Sequence, residues 1–171
     1  TIFLDLLNHA IACNARKPDM KFAILFLDLD RFKVVNDSLG HHAGDILLKE
    51  VANELKNIVR TKDTVARLGG DEFVILIEDL EDDAEAYEVA QRITEYLSTP
   101  FTIENQPVFI GTSIGILFND KRYKTADVML RDADTAMYHA KDKGKGRYEV
   151  FDSSMHQKVQ NALTLEADIR E

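Results

Sequence analysis

Residues 67–75 read R-L-G-G-D-E-F-V-I, two glycines and two adjacent acids set between apolar residues. Neighbouring carboxylates repel, and glycine weakens a strand interior. The flanking runs T-V-A-R-L (64–68) and F-V-I-L-I (73–77) have the length and residue types of strands. G-G-D-E therefore reads as the turn of a hairpin, where glycine permits positive φ. A second run ending in acids lies upstream. F-A-I-L-F-L-D-L-D (22–30) is almost continuously apolar and closes on Asp28 and Asp30, which at this length predicts a strand buried on both faces. If the two strands are neighbours, the carboxylates of Asp28, Asp30, Asp71 and Glu72 meet at one edge of the sheet. Magnesium favours hard oxygen ligands, often one or two carboxylates completed by substrate phosphates, and a divalent ion offsets the like-charge repulsion. The alternative is a solvated turn whose acids face water.

The remaining pattern mixes helices and strands. Residues 2–15 predict a helix with Ile2, Leu6, His9, Ala10 and Cys13 on one face. Residues 43–59 set Leu47, Leu48, Val51, Ala52, Leu55, Ile58 and Val59 at helical spacing. An acidic amphipathic helix follows over 83–98, stopped near Pro100. F-T-I (101–103) and V-F-I-G-T-S-I-G-I-L-F (108–118) predict strands about a turn at Asn105. Residues 125–142 predict a helix, 147–151 a last strand, and the tail from Ser154 a more polar helix. The expected class is α+β: helices packed on a largely antiparallel central sheet.

The chain has 171 residues, 45% of them hydrophobic, and suits one domain with a sizeable core. It has no apolar run near the roughly 20 residues that span a bilayer, so no membrane contact is expected from this segment. Its start, T-I-F-L-D-L-L-N-H-A, lacks the basic lead of a signal peptide. A single cysteine, Cys13, cannot form an internal disulfide; it reads as a buried helix residue and points to a reducing, cytoplasmic compartment. A net charge of −9 argues against a nucleic-acid partner but leaves room for an anionic small ligand, because K-D-K-G-K-G-R (141–147) is locally basic.

R-F-K-V-V-N-D-S-L-G-H-H-A-G-D (31–45) carries other chemistry. An amide both donates and accepts, and a carboxylate accepts twice, so Asn36 and Asp45 could together read a purine edge. The alternative gives Asn36 a local turn and Asp45 a place in a helix's first turn. Lys33 is a surface residue or a phosphate contact. Lys141 and Lys145 share a helical face only if the helix persists through Gly144; they compensate a helix dipole or clamp a triphosphate. His41 and His42 lack metal-site spacing, no Ser-His-Asp or Cys-His arrangement stands out, and G-K-G-R is not a Walker loop.

L-D-L-D-R-F-K-V-V-N-D-S-L-G-H-H-A-G-D and R-L-G-G-D-E-F together resemble the GGDEF family of diguanylate cyclases. S-I-G-I (113–116) and R-D-A-D-T-A-M-Y-H-A-K (131–141) extend the resemblance over about residues 3–151. It implies a palm-like nucleotidyl cyclase fold and a reaction joining two GTP into cyclic di-GMP with release of pyrophosphate. Each of two domains holds one GTP, so an antiparallel homodimer is implied. The resemblance implies that Asp28, Asp71 and the Leu29 carbonyl bind magnesium, with manganese as the alternative ion. Glu72 is a further ligand or helps deprotonate the ribose 3′-hydroxyl. Asn36 and Asp45 read guanine, and Lys33, Lys141 and Lys145 contact phosphates. The family more often has arginine where Lys145 stands; the charge is kept and the planar two-point grip is lost.

Arg60 and Asp63 stand in R-T-K-D, five residues before the glycine pair, and match the family's R-x-x-D inhibitory motif, which binds product. A surface ion pair is the alternative. Residues 1–152 are expected to be the catalytic domain, and 153–171 resemble a helical connector toward an EAL phosphodiesterase domain. The competing functions are an active cyclase, a nucleotide-binding module that regulates an attached phosphodiesterase, and a dimerisation domain.

Overall fold

In the computed structural model, residues 2–17 and 19–152 are described. The helical tail expected from Ser154 lies outside them. The elements follow in order as α1 (Ile2–Arg16), β1 (Lys21–Asp30), α2 (Phe32–Leu39), α3 (His41–Ile58), β2 (Thr64–Gly69), β3 (Glu72–Leu80), α4 (Ala84–Leu97), β4 (Phe101–Ile103), β5 (Gln106–Val108), β6 (Gly111–Phe118), α5 (Ala126–Asp142) and β7 (Tyr148–Val150).

The main sheet has the order β2-β3-β1-β6-β7, antiparallel except for β6 with β7. β1 is its centre, which is why its sequence is apolar on both faces. Strand alternation divides it: Ala23, Leu25, Leu27 and Leu29 enter one core with α2, α3 and α4, while Ile24 and Phe26 enter the other with α1 and α5. Asp28 and Asp30 continue the second face, toward α5. The expected α+β class with helices flanking an antiparallel-rich sheet is what the chain adopts.

Three local expectations change. The buried ridge of α1 is Phe3, Leu7 and Ala10, whereas Ile2 is 81% exposed; apolar residues nearly encircle the first turn, and packing selects the ridge. Cys13 is half-buried, with its Sγ 3.5 Å from His9 Nε2. The run 108–118 is divided: Val108 closes a small β4–β5 hairpin whose turn residues Glu104 and Asn105 have φ of 51° and 65°, and β6 then leaves to pair with β1.

Candidate functional site

The G-G-D-E turn lies where expected, against the end of β1. Asp28 pairs with Glu72 across β1–β3 and with Ser113 across β1–β6. Leu29 N–H donates to the Asp71 carbonyl at 3.2 Å, and Arg67 Nε donates to the Gly70 carbonyl at 2.9 Å, so both sides of the turn are tied down. Gly70 has φ of 51°, the left-handed conformation that side chains resist.

Asp28 is the centre of the acidic cluster. Its Oδ2 accepts from Lys141 Nζ at 2.6 Å, while its Oδ1 is buried and accepts no hydrogen bond from a described residue. Asp71 feels this neighbour directly. Burial first, then the hydrogen bond and charge of Asp28, push its carboxyl up to about 6, against the pull of Lys141. Glu72 is raised by burial, then by Asp134 and Asp28. Asp134 joins the cluster from α5, two helical turns before Lys141. It is exposed as a residue, yet desolvation and the charge of Asp28 raise its carboxyl. It was not singled out from the sequence, although its seven-residue spacing from Lys141 places both on one helix face.

Asp30 is separate from this cluster. It is 5% exposed and accepts from Ser113 Oγ at 2.9 Å and from Gly146 N–H at 3.1 Å, pinning the turn that carries Lys145 to β1. That turn departs from the helical reading. α5 ends at Asp142, and Lys145 has φ of 64°, so Lys141 and Lys145 do not share a helical face. Lys145 is exposed, and Lys141 is engaged with Asp28.

α2 was not anticipated, and it rules out the local-turn reading of Asn36. Arg31, with φ of 69°, bends the chain from β1 into this helix. Asn36 lies in its last half and faces α3, where its Oδ1 is buried without a partner among the described residues. A Cβ on Gly44 would stand 1.9 Å from that oxygen, so only glycine leaves room for it. Asp45 is exposed on the first turns of α3, next to Gly44 in sequence, and Lys33 is exposed on α2.

Arg60 and Asp63 are held together far from the acids. The Asp63 side chain is 0% exposed and accepts from Arg60 N–H at 3.0 Å, Arg60 Nε at 3.2 Å, Arg60 Nη2 at 3.3 Å and Glu78 N–H at 3.3 Å. Arg60 Nη2 also donates to the Glu78 carbonyl at 2.6 Å. Glu78 and Glu72 are at opposite ends of β3, roughly 20 Å apart at strand rise.

Two carboxylates and nearby carbonyls are a hard-oxygen donor set, and Asp28 Oδ1, without a partner among the described residues, is a further acceptor within it. Among the described residues no three His, Cys, Asp or Glu side chains stand in ligand geometry, so substrate oxygens would have to complete a magnesium shell. A cavity of about 590 Å³ lies elsewhere, between α1 and the β6–α5 connection, lined by residues such as Asn8, Phe22 and Tyr123. The acidic cluster is an open edge instead. Among the described residues no helix is long and apolar enough to cross a membrane.

The fold and the acid-bearing hairpin define a nucleotidyl cyclase-like domain, and the family model "Diguanylate cyclase, GGDEF domain" matches residues 1–147. The chain belongs to the GGDEF family. It is 47% identical over 167 residues to the bifunctional diguanylate cyclase/cyclic di-GMP phosphodiesterase MucR of Pseudomonas aeruginosa, covering 98% of this chain and 24% of that protein. It is 38% identical over 167 residues to the cyclic di-GMP phosphodiesterase PdeR of Escherichia coli, covering 97% and 24%. The chain thus spans about a quarter of the length of these relatives. A solved GGDEF domain of TpbB (YfiN) from P. aeruginosa superposes with a TM-score of 0.88 at 34% identity, covering 93% of this chain and 92% of that one.

Proposed function

We propose that this domain is a diguanylate cyclase. The observation that carries the reading is the convergence of Asp28, Asp71 and Glu72 on one sheet edge, with a buried Asp28 oxygen that accepts no hydrogen bond from a described residue. Asp28, Asp71 and the Leu29 carbonyl would hold magnesium, or manganese in its place, which when bound neutralises the triphosphate and acidifies the attacking hydroxyl. Asn36 and Asp45 would read guanine across the α2–α3 step. Lys33 and Lys145 reach phosphates from exposed positions. Lys141 reaches them on leaving Asp28.

Glu72 is suited to take the proton of the ribose 3′-hydroxyl, because burial and Asp134 raise its carboxyl. The 3′-oxygen then bonds to the α-phosphorus of the second GTP, the α–β bridging bond breaks, and pyrophosphate leaves. Two such transfers close the ring and release two pyrophosphates. The second GTP requires a second copy of the domain across the open edge. Val34 on α2, Leu68 on β2 and Tyr138 on α5 are 59%, 41% and 58% exposed, apolar surface that a second copy could cover. Arg60, held by Asp63, is the proposed contact for inhibitory product.

Incubation with GTP and magnesium at several protein concentrations tests the reading. Cyclic di-GMP should form with a specific rate that climbs with concentration, and Asp71→Ala should abolish it. Nucleotide binding without turnover would favour a second reading, a regulatory GTP- or cyclic di-GMP-binding module of a phosphodiesterase. The name of PdeR, a phosphodiesterase, favours that alternative, whereas MucR is named for both activities.

A further inference from the structure

We infer that Glu85 competes with product for Arg60 and sets the affinity of the inhibitory site; the inference rests on the reading of Arg60 as a product contact. Two nitrogens of the guanidinium are already committed. Nε bonds Asp63, and Nη2 bonds both Asp63 and the Glu78 carbonyl. Nη1 is turned toward Glu85 Oε2 at 3.8 Å. That separation is an ion pair too long for a hydrogen bond. Glu85 Oε2 is buried and accepts no hydrogen bond from a described residue, so the carboxylate is held beside Arg60 without being satisfied there. A contact of this kind opens at low cost.

Asp63 cannot take the competing role. Its buried carboxylate receives four donors and fixes the guanidinium from behind, so it is a positioning residue. The edge of Arg60 left for a phosphate, or for the O6 and N7 of guanine, is the Nη1 side that Glu85 covers. A dianionic product must displace Glu85 and then lie beside a displaced negative charge. The same surface carries E-D-L-E-D-D-A-E over residues 78–85, which strengthens the repulsion without supplying a competing contact.

Calorimetric titration of cyclic di-GMP into the intact chain tests this, using wild type, Glu85→Gln, Arg60→Ala and the double variant. Glu85→Gln should tighten binding roughly three- to ten-fold at low salt, with the gain shrinking at high salt. Arg60→Ala should remove that gain in the double variant. Glu85→Gln binding no tighter than wild type, while Arg60→Ala weakens both, would overturn the role of Glu85 and leave the product site standing. Binding that ignores Arg60 in every background, or no binding at millimolar product, would overturn both. Thermal unfolding of each variant checks that the fold is kept; should Arg60→Ala not fold, Arg60→Lys serves, since it keeps charge but loses the planar grip.

Discussion

Lys141 Nζ lies 2.6 Å from Asp28 Oδ2, joining two residues 113 positions apart. The ammonium occupies one oxygen of the carboxylate proposed to bind metal, so it acts as counterion to the acidic cluster in the metal-free domain. Removing it by Lys141→Met should leave Asp28, Asp71 and Glu72 uncompensated. We expect a loss of about 1–2 kcal/mol in urea unfolding without metal. Adding Asp28→Asn should recover most of it, and the double-mutant cycle measures the coupling.

The carboxyl of Asp71, pushed up to about 6, gives a pH dependence of definite sign. Its folded value lies above the roughly 3.9 of a free aspartate, so the folded state holds this proton more tightly than the unfolded chain. The associated stability is complete below about pH 4 and lost as pH rises through 6. Asp71→Asn should therefore melt higher than wild type at pH 7.5, by about 2 °C once solvent screening is allowed for. The difference should close as pH falls from 7 to 4. A variant melting lower than wild type at pH 7.5 would contradict the crowding of Asp71 by Asp28.

Gly44 should control the base-reading residue. A methyl there meets Asn36 Oδ1 at 1.9 Å and the Phe32 ring at 3.2 Å. Gly44→Ala should cost about 1–3 kcal/mol of stability through overpacking. It should also weaken GTP binding about ten-fold by turning Asn36 away, while changing ATP binding little. Equal weakening of both nucleotides would show that Asn36 does not read the base.

Tyr123 is a stability element remote from the acids. Its hydroxyl donates to Asp132 Oδ2 at 2.5 Å, and both residues are buried. Burial and this bond push the phenol well above its usual range. Tyr123→Phe should lose about 1–2 kcal/mol by removing a charge-assisted donor from a buried carboxylate. GTP turnover per folded molecule should be unchanged.

The hairpin and the acid-ended strand were legible because their signals are local: a glycine pair between apolar runs, and an apolar run ending in acids. The helix α2 was not. F-K-V-V-N-D-S-L combines β-branched residues with Asn, Asp and Ser, all weak helix formers, and it is held by burying Phe32 and Val35 in the core shared with α3. The first turns of α1 were read one position off for a related reason: Ile2 and Leu6 are as apolar as Phe3 and Leu7, so composition cannot choose between them.

From the sequence by itself came the α+β pattern, the carboxylate-bearing turn and the family. These depend on residue types at short spacing, where backbone geometry leaves few choices. Tertiary structure alone decided that Lys141 faces Asp28, that Asp134 joins the cluster, and that Asp30 pins the Lys145 turn. Those pairings cross between strands and helices packed face to face. Which distant charges meet depends on strand order and helix seating, and no local spacing carries that information.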